Sequence, residues 1–179
     1  MNRRLNPSKQ LTLGAMVTAL TVLSLYAVAV LPVGSVPLYF LASFFMYILA
    51  CEGAYAAALL SFLASAALSF FLLPEKSPVL FYAALLGHYG IFRTALQGRV
   101  ENKFLLMLIK LLYCDVFAGA GLYIGLYVWG GLDIALPETL PVWAVVVLSQ
   151  AALLVYDILY ALSASIYEAR FRKSIVPRR

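Results

Sequence analysis

Few side chains in this sequence could do chemistry inside a membrane, and most fall within long apolar runs. The run 104–129 reads FLLMLIKLLYCDVFAGAGLYIGLYVW and carries Lys110 and Asp115. A charge within a lipid span is costly and faces protein or water, where it marks a pathway, a ligand or a structural ion pair. Lys110 and Asp115 are five residues apart, about 140° around a helix, so they do not form a simple intrahelical pair. Asp157, in the run 142–167, is the natural partner for Lys110, because the two runs are antiparallel and both residues lie toward their cytoplasmic ends. Lys110 can also extend its stem toward the cytoplasm. Asp115 lies deeper, with no base at its own level. It must therefore be protonated, hydrogen-bonded or linked to a ligand. Tyr113, Tyr156 and Tyr160 could supply those hydrogen bonds.

His88 is the one histidine, set between glycines in Gly87-His88-Tyr89-Gly90. A histidine there takes a proton or a polar substrate group, or serves as a hydrogen-bonded residue of a helix bundle. Alone it is not a metal site. Glu52 and Arg93 fall at cytoplasmic helix ends, where charge is cheap, and could pair, cap helices or contact a partner. Cys51 and Cys114 form no disulfide framework and read as small buried hydrophobes. HExxH, GxSxG, the P-loop and paired carboxylates at metal spacing are all absent from the sequence, so no enzyme and no cofactor is expected. Without a nucleotide site the chain cannot energise transport by itself.

The elements that must hold these residues are transmembrane helices. The chain is 64% hydrophobic and 12% charged, with a mean hydropathy of +0.95, where a soluble domain has about 25% charged residues. Six spans are expected at about 11–31, 37–51, 54–73, 79–96, 104–129 and 142–167, within one membrane domain followed by a basic tail over 168–179. The first run has full transmembrane length and reads as an uncleaved helix. An even number of spans places both termini on one side. That side holds Arg3, Arg4, Lys9, Arg93, Arg99, Lys103 and five bases of the tail, against Lys76 alone on the other. The positive-inside rule makes the termini cytoplasmic. The same rule accounts for the net charge of +5 without invoking nucleic acid.

Small residues mark the faces where helices meet. In the third span Ala57, Ser61, Ser65 and Ser69 recur every four residues and share one face, suited to close packing or to lining a polar path. Gly121 and Gly125 do the same in the fifth span. In the first span, within LTLGAMVTAL, Ala15 and Ala19 lie on one face with Gly14 and Thr18 alongside.

A compact six-helix chain of this length, with both ends inside and that first helix, resembles the S components of energy-coupling factor transporters. These are membrane subunits that bind a small solute such as a vitamin. The resemblance implies that Ala15 and Ala19 dock onto a transmembrane coupling subunit driven by ATPases. It also implies a substrate pocket near the outer side, capped here by LPVGSVP and GGLDIALPETLP. The polar substrate contacts expected in this chain are Asp115, His88, Asp157 and Tyr160, although its intramembrane charges lean toward the cytoplasmic half. The run LLPEKSPVLFYAALLGHYGIFRTAL also resembles small uncharacterised membrane proteins of spore-forming bacteria. The other reading is a non-catalytic membrane scaffold or assembly protein, with Glu52, Arg93 and Lys110 docking a partner.

Overall fold

The computed structural model describes residues 6–31, 34–97, 99–100, 102–128, 142–167 and 169. Among them the regular structure is entirely helical: α1 Pro7–Val30, α2 Ser35–Cys51, α3 Tyr55–Leu72, α4 Ser77–Phe81, a π-helix Tyr82–Leu86, α5 Tyr89–Leu96, α6 Lys103–Tyr123, a second π-helix Ile124–Val128, and α7 Val142–Ile166. Among the described residues, five stretches are long and apolar enough to cross a bilayer: α1, α3, the broken helix Ser77–Leu96, Phe104–Tyr123 and Val147–Ile166. The expected second span is the apolar helix α2, shorter at 17 residues. The chain divides into two units, Met1–Leu132 and Asp133–Arg179. The expected Lys110–Asp157 pair would join residues belonging to the two units. The loop GGLDIALPETLP, the first five residues and the basic tail apart from Ala169 lie outside the described residues.

Local chemistry sets the boundaries. Pro7 opens α1, where a missing N–H costs nothing. Asn102 caps α6 by accepting from the backbone N–H of Phe104 at 3.0 Å. Gly34 and Gly53 take φ of +88° and +77° at the two ends of α2, turns that a side chain would strain. Lys76, the base of PEKSP, donates to the carbonyls of Phe70 and Leu73 and so closes the C-terminal end of α3.

In the first unit α2 packs against α1, α3 and α5, and α1 also packs on α3. One apolar cluster holds Val17, Met46, Leu49, Ala50, Ala54 and Ala58; another holds Leu25, Ala42, Leu73, Val79 and Tyr82. Val17 thus meets the start of α3, and Leu25 meets the residue that ends it, so α1 and α3 run in the same direction. Ser61 seals the seam between them by donating to the Gly14 carbonyl at 3.2 Å, an approach that the absent side chain of Gly14 permits. The outer surface is apolar: Leu11, Met16, Leu63, Phe71, Phe104 and Leu112 are all exposed. A soluble protein rarely tolerates such a surface, and lipid tails cover it without cost.

Candidate functional site

The sequence interruption Gly87-His88-Tyr89-Gly90 is a real break in a helix. Ahead of it the chain widens to a π-turn, in which the Gly87 N–H donates to the Tyr82 carbonyl at 2.8 Å. Single π-turns are frequent at functional sites. The break leaves carbonyls without their usual helical donors, and Ser43 of α2 donates to that of Leu86 at 2.7 Å. Gly87 is packed so tightly that a Cβ would lie under 3.0 Å from the Phe62 and Tyr82 rings. The chain therefore has one course available here, and it delivers His88 to the bundle interior.

Both ring nitrogens of His88 are engaged. Nε2 lies 3.1 Å from the Ala84 carbonyl and Nδ1 lies 3.0 Å from the Tyr113 hydroxyl. A carbonyl can only accept, so Nε2 carries the hydrogen, and in the neutral ring Nδ1 accepts from Tyr113. If the ring gained a proton, Nδ1–H would donate and the Tyr113 hydroxyl would turn to accept. The pair can hold either state without losing a bond. Aromatic rings wall it in. Phe117 lies 4.2 Å from the imidazole centroid, Phe62 lies 5.8 Å away, and Phe92 stacks on Tyr113 at 3.6 Å and 3°. Phe62 also packs on Tyr82, whose buried hydroxyl lies 3.2 Å from that of Ser65.

Of the four expected substrate contacts, His88 alone sits in this cluster within the first unit. Asp115 follows Tyr113 by two residues, about 200° around α6, and is exposed. Tyr113, offered in the sequence as a partner for Asp115, instead engages His88. Asp157 and Tyr160 stand on α7 in the second unit. Lys110 is half-buried, and none of Lys110, Asp115, Asp157 and Tyr160 is without an interaction partner. Glu52 and Arg93, expected at helix ends where they could pair, cap helices or contact a partner, are 4% and 9% exposed, and each has an interaction within the chain. Glu52 follows α2 and Arg93 stands on α5, and these two helices pack together.

Ala15 and Ala19 are exposed and line a groove of about 710 Å³ between α1 and α3, with Thr18, Val22, Ala64 and Leu68 among its walls. The groove is apolar and open to the side, and none of its walls belongs to the His88 cluster. Neither Cys51, half-buried, nor Cys114, buried, is in a disulfide. Among the described residues no three of His, Cys, Asp and Glu gather as a metal site.

Neither a protein-family model, nor a curated protein, nor a solved structure matches the chain. The functional reading therefore rests on the His88–Tyr113 cluster and the α1–α3 groove. Sequence reasoning missed Tyr82 as a site residue and offered Tyr113 to Asp115 rather than to His88. The one signal for Tyr82 was position, six residues ahead of His88 in the same apolar run.

Proposed function

We propose that this chain is a substrate-binding membrane subunit of the energy-coupling-factor type, taking up a small solute such as a vitamin. Separate ATPases and a transmembrane coupling subunit supply the energy. The observation that carries the reading is the groove flanked by Ala15 and Ala19, which the chain leaves unfilled by its own side chains. Helices gain nothing by excluding lipid from an apolar surface, but they gain dispersion contacts where a ridge fits a groove lined by small residues. A helix of a coupling subunit is such a ridge. On the substrate side, the His88–Tyr113 pair offers a donor or an acceptor to a polar group, and the surrounding rings offer faces to a flat one. Asp115, Asp157 and Tyr160 complete the polar set in this reading, and both termini are cytoplasmic.

The scaffold reading draws on one specific feature: the groove is open and apolar, whereas solute sites enclose a few convergent polar groups. In that reading the same surface docks an assembly partner, and no solute is bound. Replacing Ala15 and Ala19 together with leucine fills the groove. The transporter reading expects the coupling subunit and its ATPases to be lost from the purified complex while the chain stays folded. Retention of the complex would remove Ala15 and Ala19 from the interface.

A further inference from the structure

Among the described residues of the first unit, the serine and threonine hydroxyls inside the bundle nearly all bond to a named acceptor, and two buried ones do not. Thr18, Ser24 and Thr94 each donate to the carbonyl four residues back, and Ser61 reaches across to Gly14. The Thr21 and Ser69 hydroxyls have no protein partner, although both side chains are 0% exposed. They stand at one depth. Thr21 is seven residues beyond Gly14, about 10.5 Å along α1, and Ser69 is eight beyond Ser61, about 12 Å along α3. Gly14 and Ser61 touch, and the two helices run in the same direction. On each helix the residue lies on the face that is buried: Gly14, Val17, Thr21 and Leu25 on α1, and Ser61, Ser65 and Ser69 on α3.

We infer that Thr21 and Ser69 hold a single ordered water between α1 and α3, as a built-in binding site of the fold. A buried hydroxyl without a partner shifts the folding equilibrium by roughly tenfold or more, and lipid offers no bulk water to relieve it. A water needs two to four polar partners. Thr21 and Ser69 provide two, and the Ser65–Tyr82 pair lies one turn below Ser69 with further lone pairs. The occupant is neutral. Two hydroxyls and no carboxylate make too poor a shell for a metal cation, and the apolar cluster at this level contains Leu25, Leu73 and Val79. The site closes the α1–α3 seam from within, independently of any solute or partner.

The test is a double-mutant cycle on the full chain in lipid nanodiscs, with Thr21→Val, Ser69→Ala and the pair together, read as unfolding equilibria. A shared water predicts that each single change weakens folding about fivefold, and that the double change weakens it no further, since the water is lost once. Single changes that strengthen folding would mean dry hydroxyls and would overturn the inference. Single changes whose effects multiply in the double variant would mean separate partners and would also overturn it. Should Thr21→Val fail to fold, the unsubstituted chain gives a second reading. Magnetisation transfer from water to the Thr21 methyl group is expected, and it should vanish in Ser69→Ala. No transfer in the unsubstituted chain would overturn the inference on its own.

Discussion

The Tyr113 hydroxyl lies 3.0 Å from Nδ1 of His88 and ties α6 to the break in the helix Ser77–Leu96. Tyr113→Phe keeps the stack on Phe92 but deletes that bond and leaves a half-buried ring nitrogen without its partner. The expected cost is about 1–2 kcal/mol of stability, measured by unfolding in detergent or nanodiscs. His88→Ala should cost more, since it also removes the ring that packs on Phe117 and Phe62. Equal costs for the two variants would mean that the ring contributes no packing.

Glycines on opposite faces of α6 should respond in opposite ways. A Cβ on Gly121 would lie under 3.0 Å from the Ala84 side chain in the π-helix, whereas one on Gly119 would meet nothing within 4 Å. Gly121→Ala therefore pushes α6 off the helix break and is expected to destabilise by about 1–3 kcal/mol. Gly119→Ala should be neutral or slightly stabilising, through helix propensity. Thermal unfolding of the two variants side by side checks the packing between α6 and the π-turn.

Glu52 and Arg93 are the charged side chains buried among the described residues, on helices that pack together. If the two charges compensate each other, neutralising one leaves the other buried and uncompensated. Glu52→Gln and Arg93→Met are each expected to cost about 3 kcal/mol, with the double variant costing less than the sum. Additive effects in the cycle would show that the two charges are compensated by different neighbours.

Topology has its own check. Reporters fused after residue 179 and ahead of residue 1 should both read as cytoplasmic, as the excess of basic residues on that side requires. A reporter placed in PEKSP should read as external. Opposite readings at the two termini would mean that one apolar helix does not cross, and α2, the shortest, would be the first suspect.

The helices themselves were legible in the sequence, because an apolar run bounded by Pro, Gly or charge has few alternatives in lipid. Pro7, Gly34, Gly53 and Asn102 each act at the boundary where their chemistry places them. Ala15 and Ala19 were likewise legible as a face, since spacing alone puts them together. The π-turn was not, because Tyr82–Leu86 contains no residue that a helix rejects; Gly87 and the packing of Phe62 and Tyr82 around it set the course of the chain. The burial of Glu52 and Arg93 was equally hidden. Position in a span gives depth along the membrane normal, but which helix covers an end is decided by α2 meeting α5, and no periodicity records that. The partner of His88 lay 25 residues away on another helix, where any of several tyrosines would have fitted the pattern.

Native mass spectrometry of the protein extracted gently from its host membrane tests the transporter reading most directly. The reading predicts a small molecule retained by the chain, or a complex with a transmembrane coupling subunit and ATPases, with Ala15→Leu/Ala19→Leu losing the complex but keeping the small molecule. A chain that carries no small molecule and is held by an unrelated membrane protein would contradict it and assign the groove to a scaffold.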